Sequence, residues 1–288
     1  MRLPFPPLVL VLALLWGSSF PMLKVAVETV PPITVTALRA LLGGLILLAI
    51  LGRDIPQLWR GGITLRAFTL QGIFNCVLPW LLVSWAARSI DAALVTILNS
   101  LSPIFIFLLT WAITRHEPAT GRRFLGVMLG MAGVIAIIGV DALRGVGKHT
   151  LAELACVAGS LSYAIAAIVG RRFDNVSALV PAVGSTLTAA IMLVPIALVV
   201  DKPWTLAPSA ASMLAVGGMA IISTAMAFVV YFRLLATVGS IAMSAQAYLR
   251  ILVGVGLGMA LLGERPSAGM WLGLPLVLAG VVTMTKKR

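Results

Sequence analysis

Charge is what this sequence has least of. Only 10% of its 288 residues are Asp, Glu, Lys or Arg, against about 25% in a soluble domain. Acids are scarcer still, nine against 21 basic residues, for a net charge of +12. Histidine occurs twice, at His116 and His149, and cysteine twice, at Cys76 and Cys156. Each shortage excludes a chemistry. No His-Glu-x-x-His pattern is present, so a zinc protease is ruled out. Asp54, Asp91, Asp141, Asp174 and Asp201 all fall at the ends of apolar runs or between them, so no two aspartates face each other at depth as a dyad requires. A serine nucleophile would lack a histidine base, and no glycine-rich loop precedes a Lys-Ser or Lys-Thr pair to hold phosphate. The sequence therefore predicts no enzyme, no cofactor and no metal site. The two thiols are far apart in sequence and read as packing residues.

What the chain has is apolar length. It is 60% hydrophobic, with a mean hydropathy of +1.09. Ten apolar runs follow one another: 8–23, 33–52, 67–87, 92–114, 124–140, 151–170, 177–200, 211–235, 241–262 and 269–285. Each is near the ~20 residues that an α-helix needs to cross a bilayer. The expected fold is an all-α polytopic membrane protein of ten transmembrane helices. Too little chain lies between the runs for a soluble domain, or for a basic face that could bind nucleic acid. The first run is read as a retained span and not a cleaved leader, because no small-residue cleavage site follows it cleanly.

The chain also repeats itself. Residues 117–134 recur 147 positions later as 264–281, with Glu117, Leu125, Gly126, Ala132, Gly133 and Val134 matching Glu264, Leu272, Gly273, Ala279, Gly280 and Val281. With Leu129 and Leu276 these make seven identities in 18 positions, more than the tenth or so that such a composition yields by chance, and the paired glutamates weigh most because acids are rare. Half the chain, 1–147, thus predicts one five-helix repeat and 148–288 a second. Five is odd, so the second copy starts from the opposite side of the membrane. Inverted repeats of this kind recur in transporters, with the substrate site between the halves near the midplane.

Basic residues divide unevenly between the two sides. One side carries Arg2, Arg53, Arg60, Arg66, Arg115, Arg122, Arg123, Arg171, Arg172, Arg233, Lys286, Lys287 and Arg288; the other has only Lys24, Arg88, Arg144, Lys148, Lys202 and Arg265. The positive-inside rule places the first side, with both termini, in the cytoplasm. These are called the arginine-rich and arginine-poor faces below.

Several stretches resemble the drug/metabolite transporter superfamily, and within it the EamA family. They are Trp16-Gly17-Ser18-Ser19-Phe20-Pro21, Arg39-Ala40-Leu41-Leu42, Leu98-Asn99-Ser100-Leu101-Ser102-Pro103, and the glutamates Glu117 and Leu262-Gly263-Glu264. The resemblance covers essentially the whole chain and implies ten spans in two inverted halves. Within that family the chain resembles aromatic amino-acid exporters of the YddG type, which implies an inner-membrane location.

Polar and aromatic residues inside apolar runs are the candidate site. Trp16 and Tyr163 are related by the 147 offset and predict two rings at matched depth, able to clamp a flat apolar body. Asn75 and Trp80 in the third run, with Asn99 and Ser102 in the fourth, need partners that lipid does not offer. The offset pairs Asn99 with Gln246 and Pro103 with Arg250. Arg250 lies too deep to snorkel, and no run carries an acid at mid-depth to neutralise it; carbonyls, Tyr248 or another hydroxyl, water, or an anionic ligand remain as partners. A guanidinium there is suited to a substrate carboxylate. Arg39, seven residues into its run, is expected to reach the interface instead. Glu117 and Glu264 are expected to cap the helices that follow them or to gate, and Glu153 is the remaining proton acceptor. Pro103, Gly254, Gly256 and Gly258 supply hinges, and Pro79, Pro181, Pro195 and Pro275 kinks.

Without an ATP-binding motif, transport is expected to be secondary or passive. The expected cargo is a small neutral or aromatic amino acid or similar metabolite, exported by alternating access. Two other readings stand: an exporter of drugs or organic cations, and a membrane scaffold or receptor that transports nothing.

Overall fold

In a computed structural model, the described residues are 6–52, 55, 56, 58, 65–86, 89, 90, 92–262 and 268–286. Regular structure among them is helical. Seven helices are long and apolar enough to cross a membrane: α2 (Pro32–Leu51), α3 (Leu65–Ala86), α4 (Leu94–Thr114), α5 (Gly121–Ile138), α6 (Thr150–Phe173), α7 (Leu179–Val200) and α8 (Ala210–Val238). Three shorter apolar helices, α1 (Pro7–Leu23), α9 (Ser240–Val253) and α10 (Gly269–Thr285), coincide with the other runs. The helical path of α9 continues to Leu262.

The two most extensive helix pairings are α5 with α10 and α2 with α7. Each joins helices that the 147 offset relates. In α5 and α10 the repeated glycines make the contact. A Cβ on Gly280 would stand 2.6 Å from the Gly130 amide nitrogen and 2.8 Å from the Gly126 carbonyl. One on Gly273 would stand 2.5 Å from the Gly133 carbonyl. Gly126 therefore meets Gly280 while Gly133 meets Gly273, a reciprocal pattern like that of residues facing each other across a two-fold axis. Only hydrogen fits between the backbones, and such small-residue seams hold membrane helices by close van der Waals contact.

Several helices are irregular. α1 breaks at Ser18, α4 at Ser100–Leu101 and α9 at Ala245. The α4 break immediately precedes Pro103, which sits in the first turn of the segment Ser102–Leu109 and has no N–H to give there. Pro195 and Pro275 lie inside continuous helices. π-helical turns occupy Ile73–Val77 in α3 and Met219–Met226 in α8, at positions related by the same offset, and Thr110–Thr114 closes α4.

Carboxylates tie the ends of the bundle. On the arginine-poor face, Asp201 Oδ2 accepts from both the Thr34 amide and the Thr34 hydroxyl at 2.8 Å. On the arginine-rich face, Glu117 reaches the start of α9. Its Oε1 accepts from the amides of Ser240 (2.8 Å) and Ile241 (3.0 Å) and from the Ser240 hydroxyl, while Arg123 Nη1 donates to Oε2 at 2.9 Å. His116 bridges Thr114 and Ser240 beside it. Gly239 precedes α9 at φ +86, and a Cβ there would lie 2.5 Å from Glu117 Oε2. The sequence expectation for Glu117 is corrected in one respect: it caps α9, which it meets only in the fold, while Thr120 caps the helix that follows it. Glu264 lies outside the described residues. Glu153 folds onto its own loop, accepting from the amides of Gly147 and His149.

Candidate functional site

Near the broken helices the bundle encloses a cavity of about 170 Å³. An apolar cavity of about 150 Å³ admits benzene, so a solute with one ring-sized body fits here. α1 contributes Trp16 and Ser19, α2 contributes Arg39, α3 Asn75, Trp80 and Ser84, and α4 Asn99 and Ser102. Tyr163 enters from α6, Phe228 and Tyr231 from α8, and Gln246 and Arg250 from α9. The lining also includes Leu23, Val35 and Ser84, which lie near the arginine-poor ends of their helices.

The fold thus brings together Trp16, Asn75, Trp80, Asn99, Ser102, Tyr163, Gln246 and Arg250, the eight residues singled out from sequence. Pro103 and Gly256 do not line the cavity. A Cβ on Gly256 would meet nothing within 4 Å, and the surroundings of Gly254 and Gly258 lie outside what is described.

Three buried amide atoms at this cavity, Asn75 Nδ2, Asn99 Oδ1 and Gln246 Oε1, have no hydrogen-bond partner among the described residues. An unsatisfied buried polar atom costs about 1–3 kcal/mol, which water or a polar solute in the cavity would recover. The backbone irregularities work in the same direction. A π turn frees carbonyls from the i→i−4 ladder, and Ser223 O, in the α8 π segment, accepts from Trp16 Nε1 at 3.1 Å and Arg39 Nη2 at 3.4 Å. Phe74 O, in the α3 π segment, accepts from Ser162 Oγ at 2.9 Å.

Arg39 corrects the sequence reading. Instead of reaching the interface it turns into the cavity, with its guanidinium carbon 4.2 Å from the Trp80 ring centroid and its Nε donating to Thr224 Oγ1 at 3.2 Å. Stacking on the indole face holds the cation where lipid would not. Tyr248 also departs from expectation as a neighbour for Arg250. Its hydroxyl donates to Val127 O at 3.1 Å, and its ring packs on Gly130. Tyr163 is the aromatic within electrostatic range of Arg250.

Two rings were missed. Phe228 and Tyr231 pack beside Trp16, with centroids at 6.3 and 5.7 Å, and Phe228 lies 6.4 Å from Trp80. Tyr231 was legible: the 147 offset takes Ser84, another lining residue, to it. Phe228 carried no such signal.

Electrostatically the lining is one-sided. It holds two arginines and, among the described residues, no carboxylate. Four described acids are engaged elsewhere, Asp201 on Thr34, Glu117 at α9, Glu153 on its loop and Asp174 with Arg171 at 3.0 Å, and Glu28 is exposed.

A bundle of membrane-length helices around a polar, aromatic-lined cavity is the architecture of a multi-pass membrane protein with an internal solute site. The profile of the EamA-like transporter family matches residues 6–139 and again 150–286, and the chain belongs to that family. Curated relatives run its full length. The uncharacterized inner membrane transporter YedA of Escherichia coli (strain K12) is 25% identical over 279 residues, covering 95% of this chain and 88% of that protein. An uncharacterized transporter of Archaeoglobus fulgidus is 24% identical, covering 96% and 95%. The uncharacterized transporter YoaV of Bacillus subtilis (strain 168) is 21% identical, covering 94% and 93%. A solved crystal structure superposes with a TM-score of 0.78 at 21% identity, covering 96% of this chain and 95% of the other, a likeness of fold.

Proposed function

We propose that this transporter consists of ten spans in two inverted repeats, 1–147 and 148–288, which rock about the cavity so that it opens to one face at a time. In this reading both termini are cytoplasmic in an inner membrane. The cavity in the present conformation faces the arginine-poor, outer side, with Glu117 and its partners closing the other. The reciprocal glycine contacts of α5 and α10, and the family profile matching twice, support the repeat. Pro103, Gly254 and Gly256 are assigned to hinge motion.

The cargo is a small carboxylate-bearing solute with an apolar body, the neutral and aromatic amino acids being the members inferred from sequence, moved outward without ATP. The observation that carries this reading is the joint lining of one ring-sized cavity by aromatic side chains, orphaned amides and arginines. Arg250 meets the carboxylate, Asn75, Asn99, Ser102 and Gln246 the polar groups, and Trp16, Trp80 and Tyr163 the apolar body. Two cations without a carboxylate oppose the organic-cation reading, since a cationic drug would meet like charge at close range.

Uptake into proteoliposomes tests it, using labelled Phe, Trp, Met and Thr against a cationic dye, with and without a pH gradient. Saturable carboxylate flux that falls at least about tenfold in Arg250→Ala is expected, as for loss of a charge-assisted bidentate contact. Flux of the dye alone would overturn the assignment.

A further inference from the structure

We infer that Arg39 is a second anion-binding group of this cavity, and that it selects cargo of net negative charge: an organic acid with an apolar body and either no ammonium group or a second acidic group. The inference rests on reading the cavity as the substrate site, and it narrows that reading.

The Arg39 guanidinium is held in place by neutral partners: the Trp80 face, the Thr224 hydroxyl and the Ser223 carbonyl. They fix its plane, and none of these described partners carries a charge to compensate it. The bonds engage the Nε–Nη2 edge of the fork, and the Nη1–Nη2 edge is the second one on which a carboxylate can sit bidentately. Arg250 lines the same cavity, and both arginines are within electrostatic range of Tyr163. Among the described residues the lining holds no acid, and the four engaged carboxylates named above are occupied at the ends of the bundle.

Among the described residues an entering ammonium therefore finds neutral acceptors, Asn99 Oδ1 and Gln246 Oε1 included, beside the two arginines. At about 6 Å and an effective dielectric near 20, one like charge is enough for about a hundredfold in affinity, of which amide acceptors return part. A carboxylate without the ammonium has no such penalty, and a second carboxylate gains from Arg39 as the first does from Arg250.

The test is a series of matched shape and different charge: phenylalanine, 3-phenylpropionate and phenylsuccinate, bound to the purified full-length protein by titration calorimetry and exchanged in proteoliposomes. The two acids are expected to bind at least about tenfold tighter than phenylalanine, and Arg39→Gln to bring the ratio below about threefold. Binding of phenylpropionate in that variant should still depend on Arg250. Phenylalanine binding as tightly as the acids, in an Arg250-dependent manner, would overturn the inference and leave the carboxylate site standing. An unchanged ratio in Arg39→Gln would also overturn it. Failure of all three to bind would remove the site itself. The wild-type ratio decides the matter should Arg39→Gln not fold.

Discussion

Gly280→Ala is expected to be among the most destabilising single methyl additions at the described glycines. Three backbone atoms, Gly130 N at 2.6 Å, Gly126 O at 2.8 Å and Gly130 Cα at 2.9 Å, stand where the new Cβ must go. A side chain can change rotamer to make room; a helix backbone cannot, so α5 and α10 must separate along their whole seam. Overpacking of this kind costs about 1–3 kcal/mol or more, and loss of close contact elsewhere along the pair adds to it. In a mid-sized domain each kcal/mol moves the melting temperature by about 2–4 °C, so a drop of roughly 5–10 °C is expected in a thermal-shift assay in detergent. Gly217→Ala is the control. It is helical, with nothing within 4 Å of the added Cβ, and should be neutral or slightly stabilising because alanine outranks glycine in a helix. Equal losses in the two variants would show that the seam is not what the methyl disturbs.

Glu117→Gln is expected to release the arginine-rich end of the bundle. The wild-type carboxylate, 9% exposed, gathers two amides, a hydroxyl and an arginine. Glutamine keeps one acceptor oxygen but loses the ion pair and the charge that strengthens every remaining bond. Hydrogen bonds to a charged group contribute about 1.5–3 kcal/mol each, so a net loss of about 2 kcal/mol, or thirtyfold in a closed-to-open equilibrium, is a reasonable magnitude. The reporter is Ser244→Cys, a buried cavity residue of α9, in a Cys76→Ala, Cys156→Ala background. A membrane-impermeant maleimide applied to the arginine-rich face of oriented proteoliposomes should label it at least about tenfold faster in Glu117→Gln. Unchanged labelling of a folded variant would mean that this cluster stabilises α9 without gating access.

What the sequence revealed follows from how rare polar groups are within it. Asn99, Gln246 and Arg250 stand out because an apolar run has no other use for them, and the 147 offset linked Asn99 to Gln246 and Trp16 to Tyr163 before any fold was known. The cavity that collects them required only that matched depths in the two halves converge. Arg39 escaped because depth along a helix is readable and rotation about it is not. Seven residues from the end of its run, a long side chain reaches the interface in one rotation and the cavity in another. The rotation is set by α2 packing through Gly43 on Thr224 and through Gly44 on Leu187, contacts that no local pattern encodes. Glu117 was misplaced for the related reason that its true neighbours, Ser240 and Ile241, are more than 120 residues away. Among the described residues the ten runs correspond to seven helices of full membrane length and three shorter apolar stretches, each bordering residues outside the description.

The π turns of α3 and α8 have a consequence for how such a molecule tolerates change. Phe74 and Ser223 take part in the contacts with Ser162, Trp16 and Arg39 through their carbonyl oxygens, which every amino acid possesses. Any residue at 74 or 223 therefore supplies the same acceptor, and substitution there leaves these bonds in place. Removing one residue from either segment would restore an ordinary α-helical turn, return the carbonyl to its own helix and rotate everything downstream by about 100°. At these two places the message is carried by the count of letters, not by their spelling.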